Sequence, residues 1–157
     1  MATPLQKVYD AFMARILEDD WNVQPNEDGS APDWVIQDQR LILEAALPWF
    51  KFPRVSLDII TVENSDCFCG DLSRTEIQII ANFMKCEWLD RCIMTWENVK
   101  PLYVERDFSQ GNLIDKLKQL LEFEKKKAQE AESIYYRSRN GKPFNFGKLA
   151  SRVSDAK

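Results

Sequence analysis

Histidine is missing from all 157 residues of the chain. Its absence removes the commonest general base, the Ser-His and Cys-His nucleophile pairs, and any mixed Cys/His zinc site. Nor does the chain contain a G-x-G-x-x-G, Walker or G-x-S-x-G sequence. No apolar run approaches the roughly 18–20 residues that a membrane span needs, so no membrane role is expected. The opening Met1-Ala2-Thr3-Pro4 has no basic stretch followed by an apolar one, and no secretory leader is expected. The expected setting is a cytoplasm, or something assembled there, with the cysteines as reduced thiols.

The remaining candidates for chemistry are weak. Cys67, Cys69, Cys86 and Cys92 are spaced one and five residues apart within their pairs, whereas structural zinc prefers pairs two to four residues apart. Six helical positions amount to about 600°, which turns Cys86 and Cys92 to different faces. Glu87, Asp90 and Glu97 resemble paired carboxylates, but Arg91 stands four residues after Glu87, where an ordinary ion pair is expected. No catalytic residue, metal or cofactor is therefore expected, and the chain is read as acting by binding rather than as an enzyme.

What is present is charge separated along the chain. Residues 1–136 hold 15 Lys+Arg against 24 Asp+Glu, while residues 137–157 hold six basic side chains against Asp155 alone. An acidic body would repel phosphates, which argues against general nucleic-acid binding by that part. The length fits one domain with a moderate core.

Periodicity predicts a mainly α fold: a bundle of about four helices, with a small β-hairpin or strand insertion and an extended C-terminal tail. The first helix is expected from Pro4 to about Glu18, with Thr3 as N-cap and Gln6 completing a capping box. The acidic, Asn/Gly/Pro-rich residues 22–32 read as an exposed loop. Asp33 is expected to cap a second helix, from Trp34 to about Trp49, apolar around so much of its circumference that it should be heavily buried. Residues 54–62 alternate and then turn β-branched, the one good strand signal. A lone strand needs a partner, and two fit: a hairpin within residues 63–70, or the edge of another subunit. Ser73 and Glu76 form an S-x-x-E capping box for a long helix reaching about Trp96, and a last lysine- and glutamate-rich helix follows a break at residues 98–101.

Aromatic residues carry the rest of the signal. Trp34 and Trp88 fit core packing. Trp49, Phe50 and Phe52, crowded beside Pro53, read as an inter-subunit contact, together with Val55, Leu57 and Ile59 of the strand. The tail begins at Tyr135 and Tyr136 and holds Arg137, Arg139, Lys142, Phe144, Phe146 and Lys148, with a turn at Asn140-Gly141 and no helical period. Three readings stay open for it: a solvated basic end, a nucleic-acid contact with Tyr or Phe stacked on bases and Arg on phosphate, or a peptide that docks on a partner protein through those eight residues. Residues 1–136 form the helical domain on this reading, with its β segment near 54–62, and 137–157 form the docking tail.

Several stretches resemble the head–tail connector (neck adaptor, or head-completion) proteins of tailed bacteriophages. They are Leu72-Ser73-Arg74-Thr75-Glu76-Ile77 opening a helix, then Trp88-Leu89-Asp90-Arg91 and Thr95-Trp96-Glu97-Asn98-Val99-Lys100. Asp107-Phe108-Ser109-Gln110-Gly111-Asn112-Leu113-Ile114, the Lys/Glu-rich helix and Tyr135-Tyr136-Arg137-Ser138-Arg139-Asn140-Gly141 follow. The resemblance covers about half the chain. It implies a homo-oligomeric ring of roughly a dozen copies, closed by rotational symmetry, in the virion neck and assembled in the host bacterial cytoplasm. A portal protein would lie above it and a tail or second neck protein below, with DNA passing through without sequence-specific binding. It also implies that the C-terminal segment reaches onto the portal. The long acidic loop at residues 22–32 departs from the usual short connector. The rival class is a cytoplasmic helical adaptor or regulatory protein-interaction module.

Overall fold

A computed structural model describes residues 2–16, 31–62, 65–99 and 108–138, with side chains at 98–99 and 108–112 left out of the description. Along the chain lie β1 (Thr3–Pro4), α1 (Leu5–Ile16), α2 (Asp33–Ala46), a 3-10 turn (Leu47–Trp49), β2 (Ile59–Val62), β3 (Ser65–Phe68), α3 (Arg74–Val99) and α4 (Phe108–Arg137). The mainly helical architecture with a small antiparallel sheet is the one that the sequence periodicity predicts.

α3 is the centre. Its start is fixed by the expected capping box: Ser73 N–H donates to Glu76 Oε2 at 2.8 Å, and Glu76 N–H to Ser73 Oγ at 3.3 Å. Apolar residues then recur around much of the helix, with Ile79, Ile80, Ala81, Phe83, Met84, Leu89 and Ile93 all buried. A helix apolar on most sides must be covered on most sides, and α1, α2 and α4 each pack on it. α1 contributes Leu5, Val8, Phe12 and Ile16, one stripe at helical spacing. α4 contributes Ile114, Leu117, Leu121, Glu124, Ala128, Ala131 and Tyr135, alternately three and four residues apart, the spacing of a helix–helix seam.

Several expectations are corrected. Thr3 and Pro4 do not open α1; they pair with Phe68 and Cys67 as strand β1. Thr3 Oγ1 instead accepts the buried Leu72 N–H at 2.8 Å, and Gln6 donates to Asp10 rather than to a cap. Asp33 is the first residue of α2, and the Pro32 before it provides no side-chain cap. α2 is not heavily buried all round. Val35, Gln39, Ile42, Leu43 and Ala46 face inward, whereas Trp34, Ile36 and Leu41 stay exposed. α3 is already covered by three helices, so α2 has only one face to bury. Trp88 does pack against the core.

The strand expected over residues 54–62 shortens to β2, and its partner is β3 of the same chain, with Ile60 opposite Cys67 and Thr61 opposite Asp66. β3 is the middle strand of the order β1-β3-β2. Residues 54–58 are instead pressed against Gly70, where a Cβ would meet Val55 Cβ at 2.8 Å and the Ser56 carbonyl at 3.0 Å. Only glycine permits that approach. Arg40 on α2 is ion-paired with Asp66 on β3, tying the sheet to the bundle. Arg91 does not pair with Glu87 as expected. It reaches Asp38 on α2 at 2.8 Å, while Glu87 receives the Trp49 indole N–H at 2.7 Å.

The four thiols form no disulfide. Burial, reinforced by the Glu124 carboxylate, pushes the Cys86 thiol up to about 11. Among the described residues no cluster suits a metal ion, and no helix is long and apolar enough to cross a membrane.

Candidate docking surface

The connection after α2 and the far end of α4 come together at the start of α3, and two buried carboxylates join them. Glu76 is only 3% exposed. Its Oε2 serves the α3 cap and also accepts Ser73 Oγ–H at 2.7 Å. Its Oε1 accepts Tyr135 O–H at 2.5 Å and Arg54 N–H at 3.3 Å. Burial alone would raise the Glu76 pKa, but the donors from Tyr135, Ser73 and Arg54 outweigh it, and the carboxyl lies below the usual range. The Tyr135 phenol is pushed up, first by burial and then by its bond to Glu76. Glu132, also buried, accepts the backbone N–H groups of Lys51 at 2.7 Å and Phe52 at 3.1 Å.

Arg54 completes the clasp. Its guanidinium lies 4.4 Å from the centroid of the Tyr135 ring and donates to the carbonyls of Tyr135, at 2.8 Å, and Ser138. Those carbonyls belong to the end of α4, where a cation is favoured by the helix dipole, and the Tyr135 carbonyl also accepts the Ser138 N–H at 3.1 Å and Oγ–H at 2.7 Å. Tyr135 also meets Phe50 edge-on, with ring centroids 5.8 Å apart.

An exposed aromatic shelf lies over this clasp. Phe52 and Tyr136, 51% and 63% exposed, have ring centroids 4.7 Å apart. Trp49 is 44% exposed, with Lys125 Nζ 5.7 Å from its ring centroid. Arg137 is exposed at the end of α4.

The expected site residues therefore divide. Tyr135 is not a tail residue: α4 continues through Arg137, and Tyr135 is buried as the last inward position of its seam. The boundary drawn after residue 136 falls within that last turn. Phe50, expected as an inter-subunit contact, is likewise buried in the chain's own core. Val55, Leu57 and Ile59 are half-buried against the same core. Trp49, Phe52, Tyr136 and Arg137 remain available at the surface. Arg139, Lys142, Phe144, Phe146 and Lys148 lie outside the described residues, as does the acidic loop at 22–30.

Glu132 and Arg54 escape sequence reasoning. Glu132 stands in a run rich in Lys, Gln and Glu, and only its place one helical turn before Tyr135 and beside the three-four seam hints at burial.

A separate open cleft of about 460 Å³ lies between α1, α3 and α4, lined by Trp88, Trp96, Leu117 and Leu120 with Arg15 and Lys85. Both cations are already engaged, Arg15 with Asn82 and Gln78 and Lys85 with Glu124 at 2.9 Å. Comparison with known proteins yields no match: no family model, no curated protein and no solved structure is similar to this chain.

Proposed function

We propose that the protein is a head–tail connector subunit of a tailed bacteriophage. On this reading it assembles as a ring of roughly a dozen copies beneath the portal, in the virion neck, and acts by binding. The observation that carries the proposal is the aromatic shelf of Phe52 and Tyr136, held rigid by Glu132 and by the Arg54–Glu76–Tyr135 clasp at the point where the basic, aromatic residues 139–157 begin. Clustered, pre-ordered aromatics are efficient anchors, and adjoining basic side chains steer them to an acidic protein face. The acidic body suits a channel wall that DNA slides past rather than grips.

Two measurements test this reading. The coding neighbourhood should hold portal, capsid and tail genes. Native mass spectrometry of the full chain mixed with the portal protein encoded there should show a ring bound to the portal, and removal of residues 139–157 should abolish docking while leaving the fold intact. A chain that ignores that portal, or a truncated chain that docks normally, refutes the proposal.

A further inference from the structure

The open cleft between α1, α3 and α4 sets apolar walls around a cation. Trp88, Cys92 and Trp96, each four residues after the last on α3, line it together with Leu117 and Leu120, one turn apart on α4. Leu89, 4% exposed, is its most buried lining residue, and Trp96 and Leu120, 42% and 41% exposed, stand at its open side. Among the described residues no Asp or Glu lines it, and its charges are Lys85 and, near the end of α1, Arg15.

The Arg15 guanidinium is held in place without being neutralised. Its Nε donates to Asn82 Oδ1 at 2.7 Å, Nη1 to the Ala11 carbonyl, and Nη2 to the side-chain and main-chain oxygens of Gln78. Every one of these acceptors is uncharged, and among the described residues no carboxylate is ion-paired with Arg15. Burial holds the Arg15 pKa below its ordinary value, and attraction to Glu124 offsets that only in part. Glu124 is itself bonded to Lys85 at 2.9 Å, with Lys127 Nζ 3.9 Å from its other oxygen. Three cations therefore draw on one carboxylate, and a partly desolvated cation without a counterion of its own favours an incoming anion.

We infer that this cleft binds a small amphipathic carboxylate, whose apolar body lies among the tryptophan and leucine side chains and whose charge meets Arg15. The site is independent of the connector reading and of the aromatic shelf. A volume of about 460 Å³, with a mainly apolar and aromatic lining and few polar groups, is that of a small-molecule site. The kind of anion follows from the donors left over. Nη1 carries two N–H groups and spends one on Ala11, so a single bond to one carboxylate oxygen is provided for. A phosphate, which draws on several donors at once, is served less well. Because neutral partners already fix the guanidinium, little freedom is lost when the anion arrives. Glu18, Asp19 and Asp20, next along the chain, lie outside the described residues and are neutralised in one arm of the test.

The test uses the full chain and two probes of one shape, 2-naphthoate and the uncharged naphthalene-2-methanol, with affinities read by ligand-observed NMR. The parent should bind naphthoate at least about tenfold more tightly than the alcohol. Leu120→Glu, at the exposed side of the cleft, sets a negative charge beside the anion and should weaken naphthoate at least about tenfold. Arg15→Gln should abolish the preference for the acid over the alcohol; if that variant fails to fold, Leu120→Glu decides. Equal affinities of the parent for the two probes, no binding of naphthoate, or naphthoate binding that either folded variant leaves unchanged overturns the inference. Binding that appears only when Glu18→Gln, Asp19→Asn and Asp20→Asn are combined assigns the Arg15 charge to the chain's own acids and overturns it as well.

Discussion

Replacing Tyr135 by Phe removes one oxygen from a well-connected point of the protein and leaves the ring packing against Phe50 and Arg54 unchanged. The lost bond is that from the phenol to Glu76 Oε1, 2.5 Å long and buried at both ends. A hydrogen bond to a charged group contributes about 1.5–3 kcal/mol, and here the carboxylate keeps only the longer Arg54 N–H on that oxygen. Urea unfolding followed by tryptophan fluorescence should thus show a loss of about 1.5–3 kcal/mol with an unchanged slope, because the surface exposed on unfolding is the same. The pH dependence gives a second reading. The Glu76 pKa is depressed in the folded chain, so its contribution is fully present above the ordinary value of 4.5 and is lost as pH falls through the lower folded value. Tyr135→Phe removes the foremost of the donors that depress it, so part of the stability that the parent keeps above pH 4.5 should already be missing, and the difference between the two proteins should shrink as both are acidified below that point. A variant as stable as the parent within about 0.5 kcal/mol at neutral pH, or a difference that grows on acidification, would refute the role given to this bond.

Glu132→Ala should cost about 1–3 kcal/mol in the same assay, since it leaves the Lys51 and Phe52 N–H groups without their acceptor. Gly70→Ala should destabilise by about 1–3 kcal/mol in a thermal melt, because the new methyl lands 2.8 Å from Val55 Cβ. Phe52→Ala combined with Tyr136→Ala should change stability by less than about 1 kcal/mol, as both rings are more than half exposed, yet weaken capture of the portal protein at least about tenfold in a surface-binding measurement.

The clearest parts of the fold in the sequence were those specified by local chemistry. Ser73 and Glu76 announce the start of α3, and the apolar spacing of Leu5, Val8, Phe12 and Ile16 announces α1. α2 misled because Trp34, Ile36 and Leu41 are as apolar as Val35, Ile42 and Leu43, and periodicity cannot rank faces when both are hydrophobic. β1 left no signal at all. Two residues become a strand only by pairing with β3, a contact across more than sixty positions of chain. At the candidate site the aromatic crowding at Trp49, Phe50 and Phe52 was visible, but its division into a buried Phe50 and an exposed Phe52 depends on where Glu132 fixes the backbone. Tyr135 and Tyr136 are chemically alike, and only the rotation of about 100° between neighbouring helix positions sends one into the core and the other to the surface.

The clasp also sets how the chain bears a mechanical load. A pull on the chain beyond Ser138 does not meet α4 as a free end that unwinds one turn at a time. It is passed through Arg54 to the connection after α2, and through Tyr135 and Glu76 to the first turn of α3. Three segments remote in sequence then resist together, and the bonds joining them must give way in concert before the last helix can peel.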